Sequence, residues 1–428
     1  MQCRSLACAL LVVLVGCTAA RPNVGGSDGR APSDSGLTVL PGLDSTVPSG
    51  DTGVDDATWQ SNWYSSDTIH EVTITINDAG WAALTNDPYN YVQADATFDN
   101  QTVTGLGVRL RGKVGSFRPI TGKPKFKFDF GEYVPGQELH GLKGMSLNNE
   151  VVDCSYLKEP LAYRIFRDGG IMAPRTGFAH VTVNDIDYGL YVLVEEPDSK
   201  FLTEWMPDDD KGQLYDGKYV YYSDGSYTLL DFATGVDNLY QLEEGTDDAN
   251  AEIVATSNAT IAASAQFQQD LDPLVDWTQL HSVWAAEEWT GQVDGYAMDR
   301  NNYRVYYRPS DGKMSMIVWD FDYSFIQDWQ WGMSWGSPTG VLAARCWADP
   351  QCKADQAVGM QNLLATVDTA AILDYFDGMV TLTKDLAHAD PKRECTGPSI
   401  RQTQTQVRDW AANRSDGLAA EWGLTTGP

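Results

Sequence analysis

Histidine and cationic side chains are in short supply: 428 residues hold 5 His and 30 Lys plus Arg against 59 Asp plus Glu, a formal net charge of -29. So acidic a chain repels nucleic acid and anionic lipid, and neither is expected as a partner. There is no CxxC pair, which leaves little from which to build a zinc site. Nor is there a Gly-x-Ser-x-Gly nucleophile turn, which argues against a hydrolase. His180 and His281 read as strand or core residues rather than bases. Internal repeats are absent, and beyond the first residues no apolar run is long enough to span a bilayer.

The amino terminus is the exception. MQCRSLACALLVVLVGC combines one Arg, an apolar run and Leu-Val-Gly-Cys before small residues. It resembles a bacterial lipoprotein signal, residues 1–16, with Cys17 as the lipidated residue, and it is too short to span. A simple cleaved signal would equally mean export. Residues 17–57 are rich in Gly, Ser, Asp, Thr and Pro, bury too little to fold, and read as a disordered tether. The expected location is extracytoplasmic, on a bacterial membrane reached only through the lipid.

With Cys3 and Cys8 in the signal and Cys17 lipidated, four of seven cysteines remain. An even number in an exported chain suggests disulfides. Cys346 and Cys352 enclose a short loop whose closure is worth about 2.4 kcal/mol in the loop-entropy account. Cys154 with Cys395 is the default second bridge, two other pairings being open.

Strand signals dominate up to Val194: HEVTITI, TVTGLGVRLRG and FAHVTVNDIDYGLYVLVEE, the last a hairpin around Asn184 to Asp187. Helical spacing appears at Tyr156 to Arg167. It takes over after Pro273, where Leu274, Trp277, Leu280, Val283 and Trp284 recur at three- and four-residue steps. Gly359 to Thr381 and Ile400 to Glu421 also read as helices. The expectation is an α+β fold with a strand-rich N-terminal lobe, about 58–200, a helix-rich C-terminal lobe from about 201, and the site in the cleft between them. Residues 336–428 extend the second lobe.

The chemistry concentrates in DGYAMDRNNYRVYYRPSDGKMSMIVWDFD, from Asp294 to Asp322. NNYRVYY alternates as a half-buried strand, PSDG is a turn and KMSMIVWDFD is a second strand. Asp320 and Asp322, two apart, should leave that strand on one face, with the hairpin returning Asn302 toward them. Oxygen donors of this kind suit Mg²⁺ or Mn²⁺. A carboxylate for a hydroxyl nucleophile, with an amide and a second carboxylate for metal, is the inventory of phosphoryl transfer.

A second concentration is basic. From Asn100 to Phe128 there is no acid, yet Arg109, Arg111, Lys113, Arg118, Lys123, Lys125 and Lys127 occur among five glycines, making a candidate anion site. In KPKFKFDF the alternation puts the three lysines and Asp129 on one face and the phenylalanines on the other. Trp329, Trp331 and Trp335 in QDWQWGMSWGS pack over the cleft or, if exposed, grip a sugar or protein. The acidic loops at Asp208–Asp210 and Glu243–Asp248 lack calcium-loop spacing and read as solvated turns.

In order along the chain, RLRG at 109–112, KPKFKFDF at 123–130, GLKGMSLNN at 141–149, DCSYLKEPLAYRIF at 153–166, the hairpin at 173–202, DGYAMDRNNYRVYY and WDFD resemble the CotH kinases. These are atypical kinases related to spore-coat protein H, and the likeness covers about 63–325. The resemblance implies an atypical protein-kinase-like two-lobed fold over 58–335, ATP with Mg²⁺ or Mn²⁺, and phosphorylation of Ser or Thr in surface or coat proteins. It makes Asp294 the catalytic Asp and gives Asn302 with Asp322, then Asp320, the metal role. Glu159 matches a helix Glu that pairs with a nucleotide-binding Lys, with Lys127 first, then Lys125 and Lys123, and Arg111 nearby. Pro160 belongs to a first helical turn, so that helix is expected to start near Asp153 or Ser155. The alternative is a catalytically inactive CotH-like scaffold or adhesin that binds protein or glycan partners.

Overall fold

The computed structural model describes residues 55–113, 115–218, 229–233, 236, 239–246 and 249–426. The signal at 1–16, Cys17, nearly all of the tether and the end of the acidic loop, Asp247 and Asp248, lie outside them.

The first half is a closed barrel of seven strands, in the order β1-β2-β3-β4-β5-β7-β6. These are β1 (Ile69–Thr75), β2 (Val92–Phe98), β3 (Gln101–Arg111), β4 (Lys125–Asp129), β5 (Gly144–Asn148), β6 (Thr176–Val183) and β7 (Ile186–Glu195). Helix α1 (Asp56–Trp63) precedes it, and α2 (Asp78–Asn86) and α3 (Lys158–Asp168) interrupt it. Closure comes from the parallel pair β1 and β6, all other neighbours being antiparallel. Phe126, Phe128 and Phe130 fill the interior with Val72, Ile74 and Leu110, so the alternation of KFKFDF turns its lysines outward. LYVLV in β7 is apolar throughout because both its faces are covered: Tyr191 and Leu193 enter the barrel, Leu190, Val192 and Val194 the second core. The β6–β7 turn is where it was expected, with Asn184 and Asp185 both at positive φ, 48° and 63°, as a two-residue hairpin requires.

The second half holds a four-stranded sheet, β11-β10-β8-β9, formed by β8 (Gln213–Gly217), β9 (Tyr240–Glu244), β10 (Tyr303–Tyr307) and β11 (Met314–Val318). Around it lie α4 (Ser199–Trp205), α5 (Ala251–Ala262), α6 (Phe267–Leu271), α7 (Trp277–Thr290), α8 (Tyr296–Asp299), α9 (Val341–Ala348), α10 (Pro350–Thr366), α11 (Thr369–Ala389) and α12 (Gly397–Trp422). The strand-rich first part and helical second part agree with the α+β expectation. Among the described residues no helix is long and apolar enough to cross a membrane.

Three local expectations change. The stretch 359–381 is two helices, because Asp368 stops one and caps the next by accepting from the Ala371 N–H. Helix α3 starts at Lys158 rather than near Asp153 or Ser155. The Asp153 carboxylate instead receives the N–H groups of Ser155, Leu157 and Lys158, which would lack partners at a helix start. Trp335 is buried, whereas Trp329 and Trp331 are exposed on a 3-10 turn, so only the first obeys the packing expectation.

Both disulfides have formed as expected, Cys346 with Cys352 and Cys154 with Cys395. His281 lies beside the first, but its cysteines are spent in the bridge and offer no thiolate to a metal.

Candidate functional site

The site starts from the outward face of β4. Register sets Lys125 opposite Arg111, and Lys127 opposite Arg109 and Ser146. Three lysines at period two look alike in sequence, and their partners tell them apart. Lys125 donates to both oxygens of Asp320, at 2.9 and 3.1 Å, and to Asp322 at 3.0 Å. Lys127, the first choice from sequence, meets Glu196 at 2.9 Å instead. Lys123 is buried against Asp390, at the end of α11.

Asp320 and Asp322 converge for a reason other than the one expected. Strand β11 ends at Val318, and Asp320 stands beyond it at φ 50°, so alternation along a strand does not align them. Phe321 anchors the segment between Tyr163 and Phe166 of α3, its ring 5.0 and 5.1 Å from theirs. The backbone is gripped as well. Tyr163 Oη accepts from the Asp320 N–H at 3.1 Å, Glu159 from the Phe321 N–H at 3.2 Å, and Gln292 donates to the Asp320 carbonyl at 2.7 Å. Lys158 donates to the Asp322 carbonyl at 3.2 Å.

Glu159 forms no ion pair with any of the three lysines among the described residues. It accepts from Asn148 at 2.6 Å and acts on Lys125 only through space. Two acids already occupy the Lys125 ammonium, and Glu159 is committed to orienting the Asp320–Asp322 segment. Arg111 donates to Ser146 at 2.6 Å and lies 3.8 Å from Glu196. Its guanidinium and that of Arg304 lie over the Trp319 ring, at 4.7 and 5.0 Å.

Asp294 enters from the turn after α7, held by the side-chain amides of Asn301 at 3.0 Å and Asn302 at 2.9 Å. Asn302, at φ 53°, accepts from the Trp319 N–H through its carbonyl at 3.0 Å, so the hairpin does return it to the start of the Asp320 segment. Burial, with Asp322, Asp299 and Asp320 nearby, holds the Asp294 carboxyl well above the usual range despite the Asn301 bond. Burial and Asp320 push Asp322 up to about 7. Burial opposes ionisation of Asp320 too, but Lys125 and Arg111 keep it below the ordinary value. One ammonium thus serves a surplus of carboxylates, all hard oxygen donors. Oxygen donors of that composition suit a divalent cation, and Asp322, Asp320 and Asn302 are the candidates to hold one.

Several members carried no usable signal in sequence. Glu150, directly after GLKGMSLNN, is buried at φ 51°, and burial with Glu159 and Asp153 pushes its carboxyl well above the ordinary range. Asp299 and Gln292 flank Asp294, but an Asp five residues after another is unremarkable until folded.

The rest of the basic island is tied down. Arg118 pairs with Glu394, Lys392 donates to the Thr121 carbonyl at 2.9 Å, and Arg109 lies 5.3 Å from the Tyr91 ring. Packing explains its glycines at Gly105 and Gly107, where a Cβ would meet Val134 or Glu132, whereas Gly115 passes Tyr323, the neighbour of Asp322. A cavity of about 170 Å³ opens between barrel and sheet, lined by Lys127, Glu196, Pro197 and Arg304 among others.

Residues 108–418 match the family model described as CotH kinase protein. The chain belongs to the CotH kinase family. The match runs past Phe325 and takes in α9 to α11 and most of α12. It is 25% identical over 239 residues to the inner spore coat protein H of Bacillus subtilis (strain 168), over 54% of this chain and 61% of that protein. The chain therefore covers less than two thirds of that relative. Two solved structures align more loosely. The Helicobacter pylori proinflammatory kinase CtkA aligns at 11% identity over 64% of this chain and 92% of its own, with TM-score 0.24. The Shewanella oneidensis MR-1 HipA, HipB and operator DNA complex aligns at 10% identity over 83% and 74%, with TM-score 0.32. Likenesses that loose carry no weight for the fold.

Proposed function

We propose that this protein is an exported, lipid-anchored phosphotransferase that moves the γ-phosphate of ATP to Ser or Thr of surface or coat proteins. The observation that carries this is the junction of Lys125 with Asp320 and Asp322 in one buried cluster with Asp294. Lys125 is the phosphate-binding lysine in this reading, with Arg111 and Lys127 behind it. Asp322 and Asn302, with Asp320, would hold Mg²⁺ or Mn²⁺, which supplies charge neutralisation to the phosphates. Asp294, whose proton affinity is raised by its surroundings, takes the acceptor hydroxyl's proton, and Asn301 and Asn302 keep its carboxylate in place. Glu159 positions the Asp320–Asp322 backbone and does not touch the nucleotide. In this reading the rest of the nucleotide would lie toward the cavity beside Lys127 and Pro197.

Export is supported by two disulfides and by the signal-like amino terminus, and Cys17 is the proposed lipidation site. The test is γ-phosphate incorporation into exported protein, which Asp294→Asn and Asp322→Asn should each abolish while far-UV and near-UV circular dichroism stay native. Full activity in both variants removes the assignment. One observation favours the scaffold reading: Lys125 already neutralises part of the acidic cluster without nucleotide. Calorimetry distinguishes them, since a scaffold shows no affinity for ATP with either metal.

A further inference from the structure

Away from the acidic cluster, three residue types that ligate soft metals meet at one place. His281 of α7, Cys346 of α9 and Cys352 of α10 are all buried, and one donor atom from each, Nε2 and the two Sγ, lies within 4.8 Å of the others. Five residues separate the cysteines, so the trio escapes a search for CxxC, and its histidine comes from a different helix. The bridge between Cys346 and Cys352 withholds both sulfurs while it stands.

The surroundings are nevertheless those of a ligating histidine. Nδ1 of His281 lies 2.9 Å from Oε1 of Gln356. That pairing puts the ring proton on Nδ1 and turns the Nε2 lone pair toward Cys352 Sγ, at 4.0 Å. Metal-bound imidazoles carry just such an acceptor behind them. Burial holds His281 below its usual range, so the ring is neutral, the form that ligates. Trp277 stacks on the ring, centroids 5.8 Å apart and planes at 29°, and Trp284 meets it edge-on at 5.9 Å, so its orientation is set before any ion arrives. Gly359 makes the approach possible. A Cβ there would stand 3.0 Å from both Cβ and the carbonyl oxygen of His281, and without it α10 brings Cys352 and Gln356, one turn apart, against α7.

We infer that His281, Cys346 and Cys352 form a Zn²⁺ site that opens when their bridge is reduced. A dithiol reductant takes the bridge by exchange, closes its own disulfide and leaves two protein thiols; Zn²⁺ then displaces both thiol protons. Tetrahedral zinc, bonded at about 2.3 Å to sulfur and about 2.0 Å to nitrogen, needs its sulfurs about 3.8 Å apart and each about 3.6 Å from the nitrogen. Nitrogen and one sulfur already stand at 4.0 Å, and rotation about two Cα–Cβ bonds whose Cα atoms are 5.1 Å apart supplies the rest. Cys352 is the third residue of α10, where helix amides favour its thiolate. Water completes the coordination, as in other Cys₂His sites. The ion closes the same α9–α10 corner that the bridge closes, so the corner stays linked in either redox state.

The test uses the full chain, reduced with a phosphine, which leaves as its oxide with oxygen from water and does not compete for metal, then titrated with Co²⁺ as an optical stand-in for Zn²⁺. One Co²⁺ per chain should bind, with the visible bands and sulfur-to-metal charge transfer of a tetrahedral thiolate site, quenching of tryptophan fluorescence, and displacement by Zn²⁺. The oxidised chain should show none of this. His281→Gln, which keeps its bridge and can be checked for folding when oxidised, should bind at least about a hundredfold more weakly after reduction, and Gln356→Leu about tenfold more weakly. Zn²⁺ should raise the melting temperature of the reduced wild type and not that of reduced His281→Gln. The inference is overturned if the reduced wild type binds no Co²⁺, or if the bands survive His281→Gln or Cys346→Ser unweakened, which puts the ion on other thiols. It is equally overturned if reduction abolishes the native near-UV circular dichroism and Zn²⁺ does not restore it. None of these readouts needs nucleotide or phosphotransfer, so failure of the proposed activity leaves the result interpretable.

Discussion

Lys123 and Lys125 point from the same face of one extended segment, both are buried, and both are held by aspartate, yet the protein treats their charges oppositely. At Lys123 the acid in contact is Asp390, with Glu150 and Glu394 acting through space. The Asp390 carboxylate also takes the Leu190 N–H at 3.2 Å, the Lys392 N–H at 2.8 Å and the Tyr156 hydroxyl at 3.3 Å. Burial wins there and lowers the Lys123 pKa, so the amine holds its proton less firmly than a free lysine. At Lys125 burial works the same way, but Asp320, Asp322 and Glu159 outweigh it and the pKa rises. The first is a closed one-to-one pair beside a disulfide; the second is one cation facing an excess of acids. A closed pair is a fastening, whereas an acid excess is a place that gains from a further cation.

The comparison can be broken in order of effect. Asp322→Asn or Asp294→Asn should abolish detectable phosphotransfer, a loss of at least about a thousandfold for proton-transfer and electrostatic groups, while the corresponding change at the fastening, Asp390→Asn, should act on stability first. Activity assays alongside denaturation separate the two. Removing the bridge beside the fastening with Cys154→Ser and Cys395→Ser should cost about 5 kcal/mol, because it closes a loop of 241 residues. The bridge spanning 6 residues should cost about 2 kcal/mol. Urea unfolding measures both, and equal losses would deny the Cys154 region its fastening role. Lys123→Met should cost about 3–5 kcal/mol by stranding Asp390, with no recovery in millimolar Mn²⁺. Lys125→Met should recover in Mn²⁺, since the metal replaces the missing charge. A thermal melt with and without metal checks the contrast.

The smallest effect concerns pH. Burial pushes Glu287 up to about 8, although it accepts from the Tyr296 and Ala297 N–H groups at the start of α8. Its folded pKa exceeds the unfolded one, so the protonated form belongs to the fold. Its contribution is fully present below about pH 4 and is lost as pH rises through about 8. Gln mimics the protonated carboxyl and does not titrate, so the stability advantage of Glu287→Gln over wild type should grow from acid toward pH 9, a trend followed by thermal melts across that range.

What could be read from sequence were features with a local cause. KFKFDF alternates because a barrel has an inside, and Asn184–Asp185 turns because those residues tolerate positive φ. Trp277, Leu280 and His281 are buried at helical spacing, while from Val283 to Thr290 the helix is buried on every side. Asp294, Asn302, Asp320 and Asp322 were legible as a set because they carry a chemical inventory in order. Their geometry was not, since the left-handed residue at Asp320 follows from Tyr163, Glu159 and Gln292 gripping a chain segment far from them in sequence. The three lysines were locally equivalent. Choosing among them required knowing that Asp390, Asp322 and Glu196 arrive from elsewhere. Gly189 is a further case. Its φ is 79°, and a Cβ there would lie 2.1 Å from the Asp390 carboxyl carbon, so the glycine of DYGLY is demanded by a residue 201 positions on.

That stretch from Asp390 to Cys395 sets where the polypeptide can be cut. It supplies Lys123 with its counter-ion, Arg118 with Glu394, the Thr121 carbonyl with Lys392 and Cys154 with its sulfur partner. A recombinant fragment stopped after the tryptophan-rich turn near Trp335 would retain each residue assigned to phosphate or metal. It would nevertheless lack the far end of all four ties, so laboratory truncation has to leave the chain whole to at least Cys395, and through α12 to keep the second core covered.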